Sequence, residues 1–194
     1  MAESNELASK ICNAISSVFS ATTKAKAPPL DLLVQEISDA ASRNGRVFVY
    51  GVGREGLMLK ALSMRLFHLG ISSHCVFDMN TPPIAPIDLL ITSAGPGGFS
   101  TVDAISGVAK SNGARVLLLT AQPDSVKMCA SVVAHIPAQT MADDDDKEGA
   151  TALLPMGSLY EGAMFVLFEM VVYKLAQVLK QSPQTVRARH TNLE

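Results

Sequence analysis

The clearest pattern in the chain is a short apolar run, then three glycines, then a helical repeat. Residues 47–50 form a β-branched and aromatic run, VFVY, which is typical of a buried strand. Glycines follow at positions 51, 53 and 56, and apolar residues then recur at helical spacing until Gly70. The pattern predicts a strand, a glycine turn and a helix over 46–70.

Further apolar runs predict four more strands and the helices between them. We place the strands at 74–77, 89–92, 116–119 and 132–136. We place helices at 3–20, 30–42, 100–112 and 156–180, with a short one within 122–131. Alternating helices and continuous apolar strands are typical of a parallel sheet that is covered on both faces. We therefore expect an α/β fold, a three-layer αβα sandwich with a five-stranded parallel sheet.

The length of 194 residues fits a single domain over 1–194. Its parts are N-terminal helices in 1–44, an α/β core over 46–136, a long helix within 151–180 and a polar tail over 181–194. The first helix is amphipathic, and the long helix is apolar nearly all round. A small sheet cannot cover both, so we expect an oligomer.

The first glycine turn is a candidate anion site. Backbone N–H groups and the positive end of a helix dipole meet at such a turn, and a phosphate is their natural ligand. Gly51, Gly53 and Gly56 also match the GxGxxG pattern, and Asp78 follows the next strand near the position of a ribose-binding acid. A dinucleotide-binding oxidoreductase therefore remains an alternative here.

A second glycine loop follows the third predicted strand and favours a phosphosugar over a dinucleotide. It contains Ser93, Gly95, Gly97 and Gly98, and Ser100 is predicted to cap the next helix. Ligands of parallel sheets bind outside the carboxyl ends of the strands, where both loops fall. Two such loops can close on one phosphate and its sugar. The serines could equally be only turn and cap residues.

Composition and charge exclude several classes of protein. The net charge of −2 without a basic stripe argues against nucleic acid as a partner. The longest apolar run, 162–173, is interrupted by Glu169 and is too short to span a bilayer, which takes about 20 residues. The N-terminus has no secretory pattern, so we expect a cytoplasmic protein. Three scattered cysteines predict buried, reduced thiols. The sequence contains no cluster of His and Cys, so we do not expect a metal site.

Six segments together resemble the sugar isomerase (SIS) domain, and within it the 6-phospho-3-hexuloisomerases. They are RVFVYGVGREG, RLFHLG, DLLITSAGPGGFSTV, ARVLLLTAQPDS, PMGSLYE and RARHTNLE. The resemblance covers nearly the whole chain. It implies a flavodoxin-like five-stranded sheet, ketose isomerisation without metal or cofactor, and a homotetramer with sites at subunit interfaces.

Two departures from the family pattern affect the glycine loops. The family usually has Ser where Glu55 stands, and a carboxylate that points inward there would repel a substrate phosphate. The second loop usually reads SGSGxT, whereas Gly95 replaces its second serine here and the loop is longer. Ser100 or Thr101 is the candidate for the missing hydroxyl.

The resemblance assigns Glu161 as the catalytic base and gives His190, in the tail, a role in proton shuttling or ring opening at a neighbouring subunit's site. From the residues alone, Ser158 and Glu161 also fit a capping box, in which Glu161 would bond the backbone of Ser158. The substrate-binding candidates are Gly51, Gly53, Arg54, Ser93, Gly95, Gly97, Gly98, Ser100 and Thr101.

The leading hypothesis is a phosphosugar isomerase that interconverts 3-hexulose 6-phosphate and fructose 6-phosphate through an enediol. The alternatives are an arabinose 5-phosphate-type isomerase and a sugar-phosphate-binding protein without catalysis, with the dinucleotide enzyme behind them. The run Asp143–Asp146 fits a solvated loop better than a metal site, because it lacks the spacing of calcium ligands.

Overall fold

A computed structural model describes residues 2–126, 130–143 and 153–193. The strands are β1 Val47–Gly51, β2 Ser73–Cys75, β3 Leu89–Ser93, β4 Arg115–Thr120 and β5 Val132–His135. The helices are α1 Ala2–Val18, α2 Pro29–Ser42, α3 Gly53–His68, α4 Ser100–Ser111, α5 Ser158–Val178 and α6 Pro183–Ala188. Two short 3₁₀ turns lie at Pro123–Ser125 and Met141–Asp143.

The five strands form one parallel sheet in the order β2-β1-β3-β4-β5. The central strands β3 and β4 are buried almost throughout, as continuous apolar runs require in a sheet covered on both faces. One face packs against α2, α3 and α5, and the other against α4. The predicted α/β three-layer fold is confirmed.

Side-chain alternation divides the apolar residues of each strand between the two faces. Val47 and Val49 of β1 join the larger core with α2, α3 and α5, whereas Phe48 joins the smaller one under α4. Helix α1 packs on α5, where Ile15 approaches Gly162. The helix therefore covers another helix rather than the sheet.

The structure differs from the predicted elements at the end of one strand, in one short helix and in the tail. Strand β2 ends at Cys75, and Phe77 has a φ of 75°, which belongs to a turn. A single 3₁₀ turn replaces the helix expected within 122–131, of which residues 127–129 lie outside the described part. The polar tail contains the short helix α6, capped by Ser182. Short elements of this kind depend on loop contacts, which periodicity does not report.

The expectation that the cysteines are buried is wrong for Cys12, which is exposed on α1. It lies beside Ile11, and the buried side of this helix is formed instead by residues such as Ile15 and Val18. Cys75 is half-buried, and Cys129 lies outside the described residues. Within the described ranges, no helix combines the length and hydropathy needed to cross a membrane.

The order of the strands positions the candidate site. The chain passes from β1 to β2 on one side and from β2 across β1 to β3 on the other, so the switch point lies between β1 and β3. Gly51 at the end of β1 pairs with Ser93 at the end of β3. The two glycine loops therefore leave the sheet side by side, at the crevice where open α/β sheets bind ligands.

Candidate functional site

The first glycine loop turns the chain from β1 directly into α3. Gly53 has a φ of 58°, and a Cβ built there meets nothing within 4 Å, so the turn needs its backbone conformation rather than its small size. Gly53 and Arg54 are exposed, whereas Glu55 is buried. The loop thus sends one charged side chain outward and the next inward.

Arg54 holds the beginning of α5. Its Nε lies 2.9 Å from a carboxylate oxygen of Glu161, and its terminal nitrogens donate to the Ser158 hydroxyl and the Met156 carbonyl. Met156 has a φ of 54° and Gly157 a φ of 82°, a left-handed turn that a methionine rarely adopts. Arg54 therefore connects the first glycine loop to this strained turn and to Glu161.

The predicted capping box at the start of α5 is wrong. Gly157 occupies the N-cap position of α5, and no side chain caps the helix there. Ser158 is the first helical residue. The left-handed turn at 156–157 moves the start of the helix and leaves the carboxylate of Glu161 to Arg54. The side chain of Glu161 is thus directed to the loops rather than to its own helix.

The environment of Glu161 raises its pKa and so makes its carboxylate a stronger base. Burial raises the pKa of Glu161 above its ordinary 4.5, the Arg54 charge lowers it, and the nearby Glu55 carboxylate raises it again. A carboxylate with a raised pKa takes up a proton more readily near neutral pH. Its side chain is 16% exposed, so the group can still be reached from the crevice.

Glu55 points inward and engages the second glycine loop. Its carboxylate accepts the Ser93 hydroxyl at 2.5 Å and the Gly95 amide at 3.0 and 3.2 Å. Burial raises the pKa of Glu55, and the hydrogen bonds from Ser93 and Gly95 lower it. Two substrate-binding candidates, Ser93 and Gly95, are therefore already bound by a carboxylate of the protein itself.

Tyr160 is a site residue that the sequence did not single out. Its ring is almost fully buried, and its hydroxyl lies 3.1 Å from the Ser93 hydroxyl. Burial and the charge of Glu55 raise the pKa of Tyr160 well above its ordinary value, so the phenol stays protonated. The only sequence signal was its position next to Glu161, since a buried tyrosine generally has a partner for its hydroxyl.

The remaining candidates of the second loop form its open half. Gly98, Ser100 and Thr101 are exposed, whereas Gly97 is buried. The prediction that Ser100 caps α4 is wrong, because Phe99 occupies that position and no side chain caps the helix. The first turn of α4 therefore has no side-chain acceptor at its cap position, and it contains the two hydroxyls of Ser100 and Thr101.

His190 does not meet Glu161 within one chain. Its ring stacks on His68, the last residue of α3, with centroids 5.3 Å apart. Glu161 contacts Arg54, which lies at the other end of α3. The length of α3 therefore separates His190 from Glu161 by about 20 Å. His190 instead lines a groove of about 680 Å³ with Arg65, Glu169 and Tyr173.

No group of three or more His, Cys, Asp or Glu side chains that could hold a metal lies within the described residues. Asp143, the first of the acidic run, caps its own turn by accepting from the amide and hydroxyl of Thr140. The other three aspartates lie outside the described part.

Comparison with known proteins identifies the family of this chain. No family model matches the chain. A 3-hexulose-6-phosphate isomerase of Mycobacterium gastri is 37% identical over 175 residues, which are 90% of this chain and 85% of that protein. The chain belongs to the 3-hexulose-6-phosphate isomerase family.

Two further relatives agree with this family. A 3-hexulose-6-phosphate isomerase of Bacillus subtilis is 31% identical over 160 residues, 82% of this chain and 85% of that protein. A solved Methanococcus jannaschii protein, whose structure infers a molecular function of 3-hexulose-6-phosphate isomerase, matches with a TM-score of 0.74 and 25% identity. The match covers 97% of this chain and 99% of that one. Membership of this isomerase family confirms the resemblance and removes the reason to favour a dinucleotide enzyme.

Proposed function

We propose that this protein is a phosphosugar isomerase that interconverts 3-hexulose 6-phosphate and fructose 6-phosphate, with Glu161 as the general base. The observation that carries the proposal is the position of Glu161. Its half-buried carboxylate, with a raised pKa, lies at the crevice between two glycine loops in a chain of this isomerase family. Crevices at this edge of a parallel sheet are ligand sites.

The chemistry needs one base that works on two neighbouring carbons. The carboxylate of Glu161 takes the proton from C2, beside the C3 carbonyl, and the electron pair forms the 2,3-enediol. The same proton returns to C3 while the hydroxyl proton passes from O2 to O3, which leaves the carbonyl at C2. Arg54, 2.9 Å from Glu161, keeps the carboxylate in place and partly offsets the effect of burial on its pKa.

The open half of the second loop is the proposed phosphate side. Gly98, Ser100 and Thr101 offer amide and hydroxyl donors at the start of α4, while the Gly97 amide donates to the Ala94 carbonyl and shapes the loop. Gly51, Gly53 and Arg54 border the crevice on the side of the first loop. An anion is stabilised at such a helix terminus. His190 is proposed to act in a neighbouring subunit's site, since its own Glu161 is out of reach. We further propose that the protein is cytoplasmic, forms a homotetramer and works without a metal or cofactor.

The test is Glu161→Gln. Loss of a positioned base lowers turnover by about 10²–10⁴-fold, while the amide keeps the shape of the side chain and so should keep substrate binding. Turnover is measured with 3-hexulose 6-phosphate, and binding by calorimetry. The control is Glu6→Gln, which removes an exposed carboxylate of α1 that pairs with Lys10.

Full turnover in Glu161→Gln would move the base elsewhere, with His190 as the next candidate. A wild-type protein that binds sugar phosphates but converts none of them would instead favour a binding protein without catalysis. The occupied donors of Ser93 and Gly95 are the specific feature that supports this second candidate.

A further inference from the structure

The buried half of the crevice has the components of an anion site. It offers the Gly95 amide and the Ser93 hydroxyl, at the point where the first turn of α3 meets the second loop. Backbone amides and hydroxyls at a glycine loop are typical donors to a phosphate. Here both donate to the carboxylate of Glu55, which is 8% exposed.

Gly95, Glu55 and Tyr160 pack closely around this position. A Cβ built on Gly95 would lie 2.9 Å from a Glu55 carboxylate oxygen and 3.0 Å from the Tyr160 ring. The Tyr160 ring packs against Gly95, and its hydroxyl lies 3.1 Å from the Ser93 hydroxyl. An external anion could use these two donors only by displacing Glu55.

Charge acts in the same direction as shape. A phosphate oxygen at the Gly95 amide would lie within a few ångströms of the Glu55 carboxylate, with burial reducing the screening by water. The Glu55 carboxylate also raises the pKa of Glu161, so the two carboxylates interact unfavourably when both are ionised. Arg54 already pairs with Glu161 and does not neutralise Glu55 as well.

We propose that Glu55 determines where the substrate is anchored: its carboxylate occupies the anion position at Ser93 and Gly95 and directs the phosphate to the exposed first turn of α4. The second half of this inference rests on the proposed function. The first half concerns the protein alone and can be tested with inorganic phosphate.

The first experiment uses the wild-type protein and amide NMR during a titration with inorganic phosphate. The amide signals of Gly98, Ser100 and Thr101 should shift, whereas the Gly95 amide, which is held by Glu55, should not. A phosphate-dependent shift of Gly95 as large as that of Ser100 would overturn the proposal. This experiment needs no variant and no turnover.

The second experiment is Glu55→Ser, which empties the position but keeps the donors of Ser93 and Gly95. Calorimetry should show phosphate binding strengthened by roughly tenfold or more, the factor expected for a new hydrogen bond to a charged group. Glu6→Ser removes the same charge from an exposed site on α1 and should leave phosphate binding unchanged. Glu55→Gln keeps the position filled and should gain less affinity than Glu55→Ser.

The outcomes separate this inference from the proposed function. If Glu55→Ser, folded as judged by its circular dichroism, binds phosphate no better than the wild type, the inference is wrong. If only Glu55→Ser binds phosphate, occupation by Glu55 is supported and the phosphate site on α4 is refuted. Should this variant not fold, the NMR titration and Glu55→Gln decide.

Discussion

At the scale of single residues, the site is organised by two adjacent side chains that point in opposite directions. Arg54 extends outward to Glu161, and Glu55 extends inward to Ser93 and Gly95. Both belong to the first turn of α3, where a carboxylate is favoured by the helix dipole. One turn of helix thus contacts both α5 and the second glycine loop.

The charge of Arg54 should set the lower pH limit of activity. It lowers the pKa of Glu161 against the effect of burial, so Arg54→Gln should raise that pKa further. A base works only when ionised, and the acid limb of kcat/KM against pH should therefore move to higher pH. The measurement is the pH profile of turnover for both proteins.

The control for this shift is Lys10→Gln, which removes an exposed cation that pairs with Glu6 on α1. It should leave the acid limb where it is in the wild type. An acid limb that stays in place, or moves to lower pH, in Arg54→Gln would show that Glu161 is not the group that titrates.

At the scale of elements, the site depends on the close approach of β1 and α3. A Cβ built on Gly56 would overlap the carbonyl oxygen of Gly51, so the helix rests directly on the end of the strand. This contact is what brings Arg54 and Glu55 to the carboxyl edge. Any side chain at position 56 would push the first turn of α3 away from the sheet.

Gly56→Ala should therefore destabilise the protein by about 1–3 kcal/mol, the usual cost of overpacking. Gly107 offers a matched control inside α4, because a Cβ there meets nothing within 4 Å. Gly107→Ala should instead raise the free energy of unfolding by about 0.5–1 kcal/mol, since alanine favours the helix. Urea denaturation measures both, and equal effects of the two substitutions would contradict the close approach.

At the scale of the whole molecule, a single chain leaves apolar surface uncovered. Six large apolar side chains on the packed helices α3 and α5 are more than half exposed: Leu57, Met64, Phe67, Phe165, Tyr173 and Val178. Single exposed apolar residues are ordinary, but several on neighbouring helices are typical of an interface, and we propose one here. Such an interface would also bring His190 close to a neighbouring subunit's site.

Light scattering should therefore give a mass four times that of the 20.5 kDa chain. Phe165→Glu places a charge in the proposed interface and should lower this mass. Val108→Glu changes an equally exposed apolar residue on α4, across the sheet, and should leave it unchanged. A wild-type protein with the mass of one chain would refute the oligomer.

Local patterns in the sequence determined the elements of the fold. The five strands, the larger helices and the position of both glycine loops at one edge follow from apolar periodicity and glycine placement, because these act between near neighbours. The sequence also predicted that Glu55 would oppose a phosphate if it pointed inward. It did not determine the direction of that side chain.

Only the tertiary structure decided how the site residues are paired. Glu55 lies 38 residues from Ser93 in the chain, and Arg54 lies over 100 residues from Ser158, so neither contact leaves a local pattern. The capping box failed because the left-handed turn at Met156 and Gly157, with Arg54 bound to it, outweighed a local preference. Tyr160 became part of the site for the same reason, since packing of α5 against the second loop buries its ring and leaves Ser93 as its partner.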